Sequence, residues 1–364
     1  MQLTLTLSAY VARLFFVRWC GVLLGVAFLI ALVDATELNR ITANSKEISF
    51  SLMLSMVLFK LPGLLEKGVP FTILFGAMLT FWQLNRHQEF VVARAGGMSA
   101  WEFLLPAVFI TLIIGAVQIA IFGPLASTFM QRFELLKNHH IKNVGSLASI
   151  SPGGIWFRQS SEQGHYILHS ASISSSTMTL KNAIIFRFDR SGNFDSRIDA
   201  SSGYLADKKW IFSEVRITGP QTPMSARGKY ELTTDLTPEN IQDSFASPET
   251  LSIWELPNFI EVLEKAGFSG VRHRIYLYSI LMKPLLLISM ILFAGVFTLR
   301  QHRRGGGTLA IILGITTGFG IYFGSDLVLA LGQSGHIPAS LAAFSPAAIA
   351  FLVSTSLLFH REDG

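Results

Sequence analysis

The sequence predicts a helical membrane protein with six transmembrane helices and an antiparallel β-jelly-roll domain inserted between the third helix and the fourth. Three observations lead to this fold class. Hydrophobic residues make up 50% of the 364 residues and charged residues only 15%, with a mean hydropathy of +0.46, whereas soluble proteins carry about a quarter charged residues. The apolar residues are clustered in long runs. One central stretch, 132–274, is instead polar and rich in serine.

Six apolar runs are long enough to cross a bilayer, because about 20 helical residues span its hydrocarbon core. Each run contains at most one charged residue, and together they cover 14–33, 68–85, 103–131, 275–299, 305–325 and 327–360. The predicted domains are therefore 1–131 with the first three helices, 132–251 for the β domain, 252–274 for a linker helix, and 275–364 for the last three helices.

Lysine and arginine in the short loops orient the spans, because cytoplasmic loops carry an excess of both residues. With the N-terminus inside, eight of them fall on the cytoplasmic side: Arg13, Arg18, Arg86, Arg94, Arg300, Arg303, Arg304 and Arg361. Four fall on the outer side: Arg40, Lys46, Lys60 and Lys67. We therefore expect both termini in the cytoplasm and the inserted domain outside. The net charge of +5 reflects this topology and does not favour nucleic-acid binding.

The polar stretch is predicted to form at least five strands. Its short runs alternate with a period of two at 155–158, 165–170, 183–188, 210–218 and 229–233. DRSGN at 189–193 and ADKKW at 206–210 are typical of hairpin turns. Strands at this spacing indicate an antiparallel sandwich or jelly roll. The single cysteine, Cys20, lies in the first apolar run, so this domain is expected to fold without a disulfide.

An amphipathic helix in SIWELPNFIEVLEKAG (252–267) is predicted to return the chain to the membrane. Its apolar residues share one helical face: Leu256, Phe259, Ile260 and Leu263. Ser252 and Glu255 match a capping box, although Pro257 indicates that the regular helix begins slightly later. Gly267 is expected to end it.

A separate capped helix is predicted over 86–95, within QLNRHQEFVVARAGGMS (83–99), between the second run and the third. Asn85 is positioned to cap its N-terminus, with Gln88 three residues later to bond back to the cap residue. Gly96 and Gly97 supply the backbone freedom that ends a helix. The candidate contact residues for a partner protein are Arg86, Glu89, Phe90, Arg94 and Gly97.

Phe90 and Glu89 are the residues with the most specific expected roles in this helix. Phe90 is the natural apolar anchor for a groove in a partner, since Val92 and Ala93 are smaller. Glu89 lies in the first turn, where it stabilises the helix dipole and can also accept an arginine from a partner. The sequence does not separate these two roles of Glu89.

The motifs of an enzyme are absent from the sequence. There is no GxxxxGK[ST], so the chain does not hydrolyse ATP by itself, and there is neither HExxH nor GxSxG. His139 and His140 are adjacent and make a poor metal pair, while His165 and His169 share a strand face without carboxylate or thiol partners. No catalytic residue, metal site or cofactor is predicted.

Cations at the outer ends of the spans are candidate contacts for an anionic lipid. Five cations are grouped at the outer mouth, where together they can attract lipid phosphates: Arg40, Lys46, Lys60, Lys67 and Arg132. Of these, Arg40, Lys60 and Arg132 are the candidate contacts. Lys283 lies eight residues inside the fourth run, beside Pro284. A lysine at that depth is often functional, although extension to the interface is the simpler explanation. Each of the other cations can equally be a solvated loop charge.

Two classes of function fit a polytopic protein without catalytic motifs. It can be a permease subunit driven by a separate ATPase, or a scaffold that presents the outer β domain. The helix at 86–95 favours the permease, because a permease needs a rigid element that docks on its ATPase and transmits motion. A scaffold has no use for one.

The whole chain resembles the LptF/LptG permeases, the membrane subunits of the lipopolysaccharide exporter. The order of three spans, a β domain and three spans is similar, and RHQEFVVARAGGMS (86–99) resembles the family's coupling helix. LTPENI (236–241), SIWELPNFIEVLEKAG (252–267) and GHIPASLAAFSP (335–346) also match, and the last two favour LptG over LptF. An LptF-type subunit of the same exporter remains the alternative, beside the scaffold.

The resemblance implies a permease subunit of an ABC transporter in the inner membrane of a Gram-negative cell, with the β domain in the periplasm. It implies an LptF-type partner in a heterodimer, two LptB-type ATPase subunits and a single-span LptC-type protein. Lipopolysaccharide would enter between the two permeases, and the β domain would pass its acyl chains onward. LptG relatives often carry several lysines at the outer end of span one, where this chain has Asp34, Glu37 and Arg40.

Overall fold

The computed structural model describes ten segments of the chain: 5–42, 49–138, 147–151, 153–161, 164–174, 178–206, 208–220, 224–234, 245–299 and 307–362. Several sequence features lie outside the described residues: Lys46, His139, His140, Arg300, Arg303, Arg304 and the LTPENI segment at 236–241. The chain forms two compact units. Unit 1 comprises Met1–Glu134 and Ile275–Gly364, and unit 2 comprises Leu135–Arg274.

Six helical stretches of the described chain are long and apolar enough to cross a membrane, which confirms the predicted number. The first three are α1 (Leu5–Thr42), α2 (Phe50–Arg86) and a continuous third span built from α4 (Ala100–Val117), a π-helical turn (Gln118–Phe122) and α5 (Gly123–Lys137). A short helix, α3 (Glu89–Ala95), lies between the second span and the third. The last three are α7 (Val271–Thr298), α8 (Gly307–Gln333) and α9 (Ala339–Glu362).

The core of unit 1 is formed by large apolar side chains from several spans, among them Phe15, Ile73, Phe81, Leu104 and Ile291. α1 joins this core through Val11, Phe15 and Trp19, and most of the apolar surface of α1 and α8 is exposed within this chain. α1 and α2 are 38 and 37 residues long. At 1.5 Å per residue each is about 55 Å in length, which exceeds the roughly 30 Å hydrocarbon core.

The loop between the fifth span and the sixth lies where the sequence predicts it, at 332–338. α8 continues past Asp326, which interrupts the apolar run, and ends at Gln333. The break falls at Ser334–Pro338, where Gly335 takes a positive φ of 80°. A single carboxylate near the end of a span does not end a helix, whereas a glycine in the left-handed region followed by proline does.

Unit 2 contains one antiparallel sheet of seven strands, so the predicted inserted β domain is confirmed. The strands are β1 (Leu147–Ser151), β2 (Gly154–Ser161), β3 (Gly164–Ser174), β4 (Thr179–Phe188), β5 (Phe194–Ala206), β6 (Lys209–Thr218) and β7 (Ser225–Thr233). The five predicted strands are all present, and the hairpin at 189–193 forms as expected. β1 and β5 were not predicted.

The strands pair in the order of the sequence, which is a meander, and no Greek-key crossover occurs among the described strands. A crease crosses this sheet. The strand registers from β3 to β7 skip one residue each along a single line: Ala171, Asn182, Ser201, Glu214 and Gly228. The register is the same on both sides of this line, and two of its residues, Asn182 and Glu214, have positive φ values of 51° and 52°.

Burial follows the crease. In β3 the buried positions are Tyr166, Leu168 and Ser170 on one side of it and Ile173 on the other, so the alternation shifts by one residue. Side chains from both halves join one core that includes Trp210, Phe212 and Ile185. The two halves of this one meander sheet, on either side of the crease, therefore contribute side chains to the same core.

A helix after the sheet, α6 (Leu256–Lys265), packs on unit 2. Leu263, Ala266 and Phe268 join the β core, and the Ile173 amide donates to the Ala266 carbonyl at 3.1 Å. Gly267 ends the helix at φ 91°, where a Cβ would lie 2.0 Å from the Ile173 carbonyl. The predicted linker 252–274 is therefore grouped with the β unit and not set apart from it. The helix begins at Leu256, as Pro257 indicated.

Candidate functional site

α3 is a short helix held between the end of α2 and the start of α4. Its C-terminus is closed as predicted, because the Gly97 amide donates to the Arg94 carbonyl at 2.9 Å and the Met98 amide to the Ala93 carbonyl at 3.2 Å. Gly97 has a φ of 85°, which favours glycine at this position. Ser99 and Glu102 form a reciprocal capping box, so α4 starts afresh directly after the turn.

The predicted N-terminal cap of this helix is wrong. Asn85 lies inside α2, and its side-chain amide donates to the Thr298 carbonyl at 3.0 Å. α3 begins at Glu89, three residues later than predicted, and Gln88 precedes it in the left-handed region at φ 63° without a side-chain cap. Arg86 is accordingly the last residue of α2, with its guanidinium 5.3 Å from the centre of the Trp82 ring.

Phe90 does not offer an anchor to a partner. Its side chain is 4% exposed and packs against Phe103 of α4, with the ring centres 5.0 Å apart. The guanidinium of Arg94 lies 5.9 Å from the centre of the same ring. The exposed apolar residue of α3 is Val92, at 70%. The apolar face of α3 that carries Phe90 therefore packs on the helix's own chain.

Glu89 connects α3 to α1. The Tyr10 hydroxyl donates to Glu89 Oε1 at 3.3 Å, across 79 residues of sequence. Nearby, the Arg18 guanidinium donates to the Gln83 side chain. Sequence reasoning missed both partners, because neither has a spacing that signals the contact. The carboxylate therefore bonds within the chain, in addition to the two roles expected of it.

The four predicted lipid-contacting cations lie towards the other end of α2. Arg40 pairs with Glu37 one turn away, at 2.8 Å, and both side chains are exposed. Arg132 is exposed in α5 next to Phe133, whose ring centre lies 5.5 Å from Lys60 Nζ. Lys60 and Arg86 are 26 residues apart on one helix, which corresponds to about 39 Å.

Lys60 and Lys283 each pair with a carboxylate on a different span. Lys60 of α2 pairs with Asp34 of α1, and Lys283 of α7 pairs with Glu66 of α2. The Gln118 side chain, at the start of the π-helical turn, lies beside the second pair and donates to the Glu66 carbonyl at 3.4 Å. Each lysine therefore has a carboxylate partner within the chain, which the sequence alone did not indicate.

No group of three or more His, Cys, Asp or Glu side chains that could hold a metal ion occurs in the described part of the chain. His165 stacks on Phe188 with ring centres 4.7 Å apart, and His169 contacts the Gly153 carbonyl at 3.0 Å. His165 therefore has its partner on β4, and His169 has one at Gly153, directly before β2.

Six spans, an inserted β unit and a short helix held between two spans define a class of protein: a polytopic membrane transport permease. The chain belongs to the LptF/LptG family, described as lipopolysaccharide export system permease LptF/LptG, whose model matches residues 9–361. It is thus a permease subunit of lipopolysaccharide export.

Two similar proteins are named as permeases of lipopolysaccharide export. The chain is 26% identical to the lipopolysaccharide export system permease protein LptG of Escherichia coli K12 over 313 residues, which cover 80% of this chain and 81% of that protein. It is 24% identical to LptG of Haemophilus influenzae over 320 residues, covering 83% and 84% of the two chains. Both relatives are LptG proteins, which agrees with the resemblance seen in the sequence.

Proposed function

We propose that this chain is the LptG-type permease of an ABC exporter that extracts lipopolysaccharide from the inner membrane and passes it to a periplasmic bridge. Its partners are an LptF-type permease, two LptB-type ATPase subunits and a single-span LptC-type protein. The separate ATPase supplies the energy. Family membership over residues 9–361 supports the exporter role, and the position of α3 supports coupling to an ATPase.

The α3 end of the spans faces the cytoplasm in this proposal, as do both termini, and unit 2 is periplasmic. The excess of Lys and Arg on the α3 side of the spans supports this orientation. The four cations at the other end of α2, Arg40, Lys60, Arg132 and Lys283, then lie towards the outer leaflet, where lipid phosphates are available.

One observation carries the coupling role. α3 is anchored to its own protein by Phe90 on Phe103 and presents Val92 and Arg94 outward. A partner that binds Val92 therefore pushes on a helix whose other face is packed on α4. The contact residues proposed for the ATPase are Arg94 and Glu89 with Val92 as the apolar contact, while Gly97 sets the turn and Phe90 transmits the displacement.

Cysteine accessibility at Val92 tests orientation and docking together. Cys20 is the only cysteine, so Cys20→Ala gives a background for single-cysteine variants. We expect a membrane-impermeant maleimide to label Val92→Cys from the cytoplasmic face only, and bound ATPase to protect it. Trp254→Cys in unit 2 is the matched control, since both positions are 70% exposed.

The control cysteine should be labelled from the periplasmic face, with or without ATPase. Labelling of Val92→Cys from the periplasmic face would reverse the orientation. Labelling that the ATPase does not reduce would exclude α3 as its contact and favour the scaffold alternative.

A further inference from the structure

α2 is joined to two other spans by ion pairs that face different neighbours. Lys60 pairs with Asp34 of α1, and Glu66 pairs with Lys283 of α7. Lys60 and Glu66 are six residues apart, which is about 9 Å along the helix axis. Two inter-span pairs therefore lie close together in depth, at the end of α2 that carries the proposed lipid contacts.

In both pairs the carboxylate is the buried member and the ammonium is the accessible one. The side chains of Asp34 and Glu66 are 8% and 11% exposed, whereas those of Lys60 and Lys283 are 25% and 22% exposed. Asp34 uses only one oxygen for the pair, and its Oδ2 is buried without a hydrogen-bond partner among the described residues. A ligand that approaches either pair thus meets the lysine first.

A lysine in this setting can bind a second anion without losing its carboxylate. The ammonium has three N–H donors, and a carboxylate occupies one side of it, so the accessible side remains available to a phosphate. The carboxylate behind it repels that phosphate. At separations of about 6 Å and an effective dielectric constant near 20, such repulsion between unit charges lowers affinity by a factor on the order of a hundred.

We propose that Asp34 and Glu66 are built-in counter-ions that weaken the hold of Lys60 and Lys283 on a lipid phosphate, so that bound cargo can be released. This inference rests on the proposed function, because it assumes that a phosphorylated lipid is the cargo. Asp34 and Glu66 are positioning and affinity-setting residues in this scheme, and the lysines make the contact.

If the two ion pairs have only a structural role, a different result is expected. If the pairs only fasten the spans together, removing either partner of a pair leaves a buried charge unpaired and weakens the fold. Carboxylate and lysine variants would then behave alike. If the carboxylates are counter-ions to a binding site, the two kinds of variant change lipid binding in opposite directions.

The test measures dissociation of lipopolysaccharide from the purified permease–ATPase complex in nanodiscs without ATP. We expect Asp34→Asn and Glu66→Gln to slow dissociation about tenfold or more, and Lys60→Gln and Lys283→Gln to accelerate it. Glu261→Gln is the control for a lost negative charge, because Glu261 is exposed in α6 and pairs with Lys265 one turn away. It should leave dissociation unchanged.

Two further probes identify the ligand chemistry. Lipopolysaccharide whose lipid A phosphates have been removed should dissociate from the Asp34→Asn and Glu66→Gln complexes at the same rate as from the wild type. Inorganic phosphate alone should be retained by neither the wild type nor the variants. Retention of inorganic phosphate in place of the lipid, or equal slowing with the dephosphorylated lipid, would overturn the assignment to a lipid phosphate.

Thermal unfolding of each variant separates binding from folding. The counter-ion role would be overturned if lipopolysaccharide left the Asp34→Asn and Glu66→Gln complexes as fast as the wild type or faster. This holds whether or not the unfolding temperature of the variant is lowered. The double variant Asp34→Asn/Lys60→Gln, which has no buried unpaired charge, should dissociate faster than Asp34→Asn. A wild-type complex that binds no lipopolysaccharide would instead refute the proposed function itself.

Discussion

Phe90 shows what a single residue in the sequence can and cannot indicate. As the largest apolar residue of the helix it was expected to face a partner, yet it is buried against Phe103. Helical periodicity identifies an apolar face but not whether that face meets the same chain or another one. We therefore propose Val92, which is smaller and exposed, as the apolar contact of α3 in place of Phe90.

Phe90→Ala should loosen α3 from α4. Replacing a buried phenylalanine by alanine costs roughly 3–5 kcal/mol in a packed core, and this contact is the main apolar attachment of a seven-residue helix. We expect faster hydrogen exchange of the α3 amides and ATP hydrolysis less coupled to lipid export. Val92→Ala, an exposed change worth within about 0.5 kcal/mol, should not alter the exchange. Unchanged exchange in Phe90→Ala would show that other contacts hold α3.

The ion-pair partners of the charged residues also could not be predicted from the sequence, because they are far apart in the chain. Lys60 and Lys283 were identified correctly as cations within or beside the spans, but their carboxylate partners are 26 and 217 residues away in sequence. No local spacing links them, since the contact depends on which spans pack together. The sequence therefore located both lysines at the spans but did not show that each one pairs with a carboxylate on another span.

At the scale of single elements, the ends of α3 were predicted with unequal success. The C-terminus depends on a glycine that adopts φ 85°, and glycine is a specific signal for that geometry. The N-terminus was placed by a capping pattern at Asn85, which continues α2 instead. Polar residues at helix ends occur often enough that a cap pattern alone does not locate a boundary between two consecutive helices.

The crease in the sheet could not be predicted from alternation, because the alternation itself shifts there. In β5 (Phe194–Ala206), which was not predicted, the buried positions change parity between Ala200 and Gly203. Gly203 leaves room for Phe212, whose ring would lie 2.4 Å from an added Cβ. A period of two is detectable only in strands that stay regular over several residues.

Glu214 marks the crease and provides a test of it. This residue has a φ of 52°, a backbone conformation that costs a non-glycine residue of order 1 kcal/mol. Glu214→Gly should therefore raise the unfolding temperature of the protein slightly. Arg216→Gly, two residues away in the same strand and without a positive φ, should lower it, since glycine weakens a regular strand by roughly 0.5–1 kcal/mol. Destabilisation by both changes would argue against strain at Glu214.

For the whole molecule, the six spans and the inserted β unit followed from the sequence because the bilayer imposes a length and a polarity that few other structures share. The family match over residues 9–361 agrees with that architecture. α2 is a single helix of 37 residues that carries Lys60 and Glu66 near one end and stops at Arg86, three residues before α3 begins. In the proposed mechanism this helix and α4 carry the movement of the ATPase to the lipid contacts.

The most direct test is ATP-dependent release of lipopolysaccharide from proteoliposomes that contain this chain, an LptF-type permease, an LptC-type protein and an LptB-type ATPase, with a soluble periplasmic acceptor outside. We predict that release requires ATP and falls to the background level when the chain is omitted or carries Val92→Asp, which places a charge on the α3 contact. Equal release without this chain, or release that does not depend on ATP, would contradict its role as an energy-coupled lipopolysaccharide permease.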